Sequence, residues 1–169
     1  AGGAIRGKDA LVTREPGVML CAFVADCVPI LFVDPVRRAV GVAHAGWRGT
    51  AAGVAAETLR TMAEAFGTVP GDVHAAIGPS IRICCYEVDE EVAAKFFGGP
   101  KEAVTPVSRG KYRIDLAKIN RHQLTEAGIL PKRIELTNYC TCCRKDLFFS
   151  HRGEGGRTGR LAAWIALDK

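Results

Sequence analysis

The sequence predicts an α/β domain in which strands and helices form layers. Two observations favour this class: short apolar runs of strand length alternate with amphipathic helical patterns, and turn residues separate the two. The length of 169 residues, with 48% hydrophobic and 24% charged residues, is typical of one ordinary domain with its own core. We therefore expect residues 1–169 to form a single domain.

The first half of the chain contains four predicted strands and one long helix. The apolar runs with the composition of buried strands are 18–24, 28–33, 39–43 and 73–77. Pro29 argues against a central position for the first residues of the second run, because proline cannot donate to a neighbouring strand. Residues 49–66 have apolar side chains at helical spacing, with Thr50 as a candidate N-cap and Gly67 as a candidate C-cap.

The second half alternates shorter helices and strands. The further predicted strands are 112–115, 134–137, 147–149 and 161–166. A short helix is predicted at 89–97, with acidic residues in its first turn, and an amphipathic helix at 116–127, which Gly128 ends. Residues 98–110 have the composition of a loop.

Composition and charge exclude several classes of protein. A net charge of +5 with so large an apolar fraction argues against intrinsic disorder, and no apolar run approaches the roughly 20 residues that cross a bilayer. Basic residues concentrate in the last third of the chain without a nucleic-acid-binding motif. We therefore expect a small anionic ligand as the partner, rather than nucleic acid or a membrane. The oligomeric state stays open, with a homodimer as one option.

The seven cysteines indicate a reducing environment. Their number is odd, adjacent cysteines rarely pair, and the first residues lack the pattern of a secretory signal, so we expect a cytoplasmic protein. Cys140 and Cys143 have the spacing of half a zinc ribbon, but Cys84 and Cys85 lack the spacing of the other half. We therefore expect structural thiols here rather than a four-cysteine zinc site.

The first candidate site lies at the ends of two predicted strands. Cys27 precedes one and His44 follows another, so neighbouring strands would bring thiol and imidazole together. The pair fits two zinc ligands, a nucleophile with its base, or a buried thiol beside a hydrogen-bonded histidine. Arg48 follows at the start of the predicted helix, where it is either part of an anion site or a surface or capping residue.

A second candidate site is a glycine-rich loop, residues 153–156, which lies between Arg152 and the pair Arg157 and Arg160. A flexible loop flanked by guanidinium groups fits one that closes over a phosphate or a nucleotide. The alternative is a hairpin with solvated charges.

Five sequence blocks together resemble one known family. In order they are ADCVPILF, VAHAGWRGTAAGV, IGPSI with CCYEV, NYCT, and FFSHR with GRTGR. They resemble the YfiH family, also described as laccase-domain or multicopper polyphenol oxidoreductases and as purine nucleoside phosphorylases. The resemblance implies an α/β layered domain with a mixed β-sheet and flanking helices. It also implies phosphorolysis of adenosine, inosine and methylthioadenosine, together with deamination of adenosine.

The resemblance further implies a zinc site made by one cysteine and two histidines. Cys27 and His44 match two of these ligands. The family's other histidine lies upstream of a segment that matches residues 7–13, where this chain has none. We therefore expect the chain to lack an N-terminal part that carries the third ligand, with His151 as the best substitute within it. Copper is disfavoured, because a laccase centre needs more histidines than the four present.

Roles for the remaining site residues follow from their type and position. Arg48 is expected to hold phosphate, with Arg152 or Arg160 as a second contact. Asp26 is expected to orient a zinc ligand or relay a proton. Zinc with an open coordination position would activate water for deamination. The alternatives are a cysteine hydrolase that uses the thiol and imidazole as a dyad, and the older polyphenol oxidoreductase assignment.

Overall fold

The computed structural model describes residues 3–168, which contain ten strands and four α-helices. The strands are β1 (Ala10–Thr13), β2 (Leu20–Val24), β3 (Val28–Asp34), β4 (Ala39–Ala45), β5 (His74–Ile77), β6 (Glu87–Asp89), β7 (Val104–Ser108), β8 (Lys111–Ile114), β9 (Ile134–Leu136) and β10 (Leu161–Ile165). The α-helices are α1 (Trp47–Ala51), α2 (Val54–Phe66), α3 (Glu90–Ala93) and α4 (Leu116–Glu126).

The largest sheet has five strands in the order β1-β4-β3-β5-β9. Strands β5 and β9 are parallel and the other pairs are antiparallel, so the sheet is mixed. Pairing of β3 with β5 begins at Ile30, one residue after Pro29, in keeping with the limit that this proline sets. The predicted α/β class with a mixed sheet and flanking helices is confirmed.

The five-stranded sheet is covered on both faces. Ile30 and Phe32 of β3 belong to the main core, which includes side chains of α2 and α4. The alternate residues Leu31 and Val33 pack into a smaller cluster beneath the two-stranded sheet β10-β2. Because successive side chains of a strand point to opposite faces, β3 is apolar from Ile30 to Val33.

The predicted helix over 49–66 is two helices. The chain breaks at Gly53, whose φ of +74° is left-handed and suits a residue without a Cβ. Thr50 is therefore not an N-cap but a buried residue of α1, and its hydroxyl accepts a hydrogen bond from the Asn120 amide at 2.9 Å. Gly67 ends α2 as predicted, with φ +70° and its N–H bonded to the Ala63 carbonyl.

Several shorter elements differ from the sequence prediction. Residues 147–149 form a turn rather than a strand, and residues 98–110 contain strand β7. β7 is mostly exposed and carries no apolar run; it forms because it pairs with β8 across a turn at Gly110. Strands β1 and β6 were also not predicted. Among residues 3–168, no helix combines the length and apolarity needed to cross a membrane.

Candidate functional site

A cleft of about 500 Å³ opens beside the turn between β2 and β3. Four parts of the chain form its walls: this turn, the junction of β4 with α1, the segment before β6, and the loop before β10. The lining residues are Phe23, Val24, Ala25, Asp26, Cys27, His44, Trp47, Ile81, Tyr86, His151, Arg152 and Arg160.

The cleft brings Cys27 and His44 side by side, as predicted from the strand ends. His44 lies opposite Pro29 in the β3–β4 pairing, two residues from Cys27. Gly46 leaves room between the two side chains, since a Cβ at this position would lie 3.1 Å from Cys27 Sγ and 4.0 Å from His44 Nε2. The interaction with Cys27 raises the pKa of His44 to about 9; burial opposes this rise and Asp9 adds to it.

Asp9 is a site residue that the sequence analysis missed. Its Oδ1 lies 3.1 Å from Nδ1 of His44, and its backbone carbonyl accepts the His44 N–H at 2.7 Å. The pairing of β1 with β4 brings Asp9 to this position, and β1 was not predicted. A carboxylate on Nδ1 fixes the orientation of an imidazole and leaves Nε2 free for another partner.

Asp26 connects the cleft to two loops. It is buried in the β2–β3 turn with φ +79°, a conformation that Asp tolerates better than most residues. One carboxylate oxygen accepts from Oγ1 of Thr141 and the other from the backbone N–H of Arg152, each at 2.6 Å. Both oxygens therefore face the loops and tie them to the turn that carries Cys27.

The three candidate arginines divide between two places. Arg152 and Arg160 line the cleft. A terminal nitrogen of Arg152 donates to the Glu87 carbonyl at 3.0 Å, and its guanidinium lies 5.5 Å from the ring centre of Tyr86. Arg48 is absent from the lining and stacks instead on Trp47, 4.3 Å from a ring centre.

Another group of thiols lies outside the cleft lining. The sulfurs of Cys84, Cys85, Cys140 and Cys143 all lie within 4.8 Å of one another. The spacing of Cys84 and Cys85 in the sequence did not predict that they lie beside Cys140 and Cys143. Ribbon spacing describes two hairpins, whereas here a bridge between Ser80 and Cys140 joins two loops that are distant in sequence.

The chain matches the family described as "Multi-copper polyphenol oxidoreductase laccase" over residues 2–168. The chain belongs to this family. The solved structure of the YfiH protein of Bacillus licheniformis is similar to this chain, with a TM-score of 0.90 and 44% identity over 94% of this chain and 61% of that one. The resemblance predicted from the five sequence blocks is thereby confirmed.

Curated relatives of this laccase-type family carry names of purine enzymes. Purine nucleoside phosphorylase YlmD of Geobacillus stearothermophilus is 45% identical over 166 residues, which cover 96% of this chain and 61% of that protein. Adenosine deaminase RL5, from an unknown prokaryotic organism, is 40% identical over 96% of this chain and 63% of its own length. The chain thus spans about three fifths of the curated relatives that it matches.

Proposed function

We propose that this chain supplies the zinc-binding and phosphate-binding parts of a purine nucleoside phosphorylase that also deaminates adenosine. The observation that carries the proposal is the Cys27–His44 pair in one cleft with Arg152 and Arg160. Metal ligands suit the hydrolytic reaction, and guanidinium groups suit the phosphate that attacks the ribose. The names of the relatives agree with both reactions.

Cys27 and His44 fit two of the ligands that zinc prefers. Zinc accepts a thiolate and a neutral imidazole, and the hydrogen bond that Nδ1 donates to the Asp9 carboxylate leaves Nε2 for the metal. When bound, zinc would supply an activated water for attack on the amino-bearing carbon of adenosine. Within residues 3–168, no third His, Cys, Asp or Glu forms a group with Cys27 and His44 in which all ligand atoms lie within 4.8 Å of one another. We therefore expect the third ligand outside this set, with His151 in the cleft wall as the alternative.

Arg152 is the best-placed group for the phosphate. Its contacts with the Glu87 carbonyl and the Tyr86 ring hold the guanidinium at the wall, so less conformational entropy is lost on binding. Arg160 lines the same cleft and is the second contact. In phosphorolysis a phosphate oxygen forms a bond to the anomeric carbon, while the glycosidic C–N bond breaks and the leaving purine takes up the proton that the phosphate loses. Arg48 stacks on Trp47, which lines the cleft, so we expect Arg48 to affect the position of this ring rather than to contact phosphate.

The test compares the complete product of the gene with the 169-residue chain. Each is assayed for ribose 1-phosphate from inosine and for ammonia from adenosine, beside a Cys27→Ser variant. Zinc is counted as the difference between wild type and this variant, so that metal held by other cysteines cancels. We expect the complete product to lose both activities and about one zinc on substitution, and the 169-residue chain to bind this zinc weakly.

Two outcomes would overturn the proposal. A Cys27→Ser variant that keeps full phosphorolysis would show that the thiol has no part in the reaction. A zinc-free wild type whose Cys27 is rapidly alkylated at neutral pH would favour the cysteine hydrolase instead, with His44 as the base.

We also infer that the protein works in the cytoplasm. All seven cysteines are free thiols, although several approach one another closely. Such thiols persist in a reducing compartment. Fractionation of cells that express a tagged complete protein tests this, and recovery with disulfides from an oxidising compartment would contradict it.

A further inference from the structure

Four cysteines from two loops converge at a point outside the cleft lining. The first loop carries Cys84 and Cys85, and the second carries Cys140 and Cys143. Sγ of Cys143 is 3.6 Å from Sγ of Cys84 and 3.4 Å from Sγ of Cys85. In a tetrahedral thiolate site with zinc–sulfur bonds of about 2.3 Å, neighbouring sulfurs are about 3.8 Å apart. The observed spacing is therefore close to that of ligands around a single ion.

The backbone holds the two loops in this arrangement. Ser80 and Cys140 form an isolated parallel bridge, and the N–H of Thr141 donates to the Ser80 carbonyl at 3.1 Å. The N–H of Cys85 donates to the Arg82 carbonyl at 2.9 Å, which turns the first loop back on itself. The ligand positions are thus set by main-chain hydrogen bonds, so little reorganisation is needed on metal binding.

The four thiols are crowded, and Sγ of Cys143 lies 3.6 Å or less from two other sulfurs. A bound divalent ion stabilises thiolates and releases their protons. Cys84 and Cys143 are exposed, which gives an ion access from solvent.

We propose that Cys84, Cys85, Cys140 and Cys143 form a second metal site, for a thiophilic divalent cation such as zinc. Four protein ligands fill a tetrahedral shell and leave no position for substrate, so the role of this site is structural. It uses none of the residues of the Cys27–His44 pair and does not depend on the proposed function.

The position of the cluster would let a bound metal restrict the walls of the cleft. Tyr86 follows the first ligand pair directly and lines the cleft. In the second loop, Thr141 lies between ligands and donates to Asp26, and Arg152 lies farther along. A metal that ties the two loops together would therefore fix two walls of the cleft.

Cysteine alkylation of the wild-type protein is the first test. The protein, purified under reducing conditions, is treated with iodoacetamide in the presence of zinc and after removal of zinc by a chelator, and labelled peptides are quantified. We expect zinc to protect the four cluster cysteines together, with at least tenfold slower labelling, while labelling of Cys21 is unchanged. Equal rates at the exposed Cys84 and Cys143 with and without zinc would overturn the proposal.

Metal content of variants is the second test. The double variant Cys84→Ser, Cys143→Ser should contain one zinc fewer per chain than wild type, whereas Cys21→Ser should contain the same amount. Cobalt(II) should give wild type the visible bands of a tetrahedral thiolate site, and these should persist in Cys27→Ser. The metal site would be refuted by an equal zinc content in the double variant and wild type. It would also be refuted by a disulfide within the cluster in protein freshly purified under reducing conditions.

Discussion

Replacement of Asp26 by alanine tests whether one buried carboxylate joins the walls of the cleft. The side chain is buried and accepts two hydrogen bonds of 2.6 Å, from Thr141 and from the backbone of Arg152. Hydrogen bonds to a charged group contribute about 1.5–3 kcal/mol each, so losing both costs about 3–6 kcal/mol. Alanine at φ +79° adds about 1 kcal/mol, because its Cβ disfavours the left-handed region. We expect the free energy of unfolding to fall by about 4–7 kcal/mol.

Two further variants separate these contributions. Asp26→Gly loses the hydrogen bonds but suits the left-handed backbone, so it should be about 1 kcal/mol more stable than the alanine variant. Asp26→Asn should lose only about 1–2 kcal/mol, because its oxygen can accept from the Arg152 N–H while its NH₂ donates to the Thr141 hydroxyl.

The assay is urea unfolding, together with hydrogen exchange at the Arg152 amide. Exchange at this amide should accelerate in the alanine and glycine variants and change little in the asparagine variant. An alanine variant within about 1 kcal/mol of wild type, with Arg152 still protected, would refute the role assigned to the carboxylate.

Three other substitutions test separate parts of the structure. Gly46→Ala places a Cβ 3.1 Å from Sγ of Cys27, so the zinc content of the cleft should fall several-fold. The control is Gly71→Ala, whose Cβ meets no atom within 4 Å and which should leave the metal content unchanged. Arg152→Ala should lower kcat/KM for inosine phosphorolysis about 10- to 100-fold and adenosine deamination much less, with Arg48→Ala affecting phosphorolysis to a smaller extent; equal losses in both reactions would contradict a phosphate role. Arg82→Ala removes one partner of the buried ion pair with Asp115, whose contact distance is 3.0 Å. The free energy of unfolding in urea should fall by about 3–5 kcal/mol, and a fall below about 1 kcal/mol would show that this ion pair does not stabilise the fold.

The strands that the sequence predicts best are those buried on both faces. Ile30 and Phe32 of β3 belong to the main core and Leu31 and Val33 pack beneath β10-β2, so every residue from Val28 to Val33 is apolar apart from the proline. β7 gives no such signal, since most of its side chains are exposed and its stability comes from hydrogen bonds to β8. The information for such a strand lies in its partner, which local periodicity does not report.

The same difference explains which parts of the candidate site the sequence could predict. Cys27 and His44 could be placed together because each adjoins a strand with a clear apolar pattern, and those strands are neighbours. The position of Asp9 could not be predicted, because its contact with His44 depends on the short strand β1. The cysteine cluster depends on one bridge between Ser80 and a residue 60 positions later, for which neither loop has a periodic signal.

The pairing of β2 with β10 has a consequence for the synthesis of the protein. β2 leads into the turn that carries Asp26 and Cys27, and its partner strand follows much later in the sequence, with Leu161 opposite Val24. A contact across so much sequence forms late, because the intervening chain must be closed first. While the polypeptide is still emerging from the ribosome, β2 exposes an unpaired edge and the thiol of Cys27 lies beside it. Chaperones or rapid completion of translation would have to protect that edge until β10 arrives, and a slow codon placed shortly before residue 161 should increase aggregation of the nascent chain.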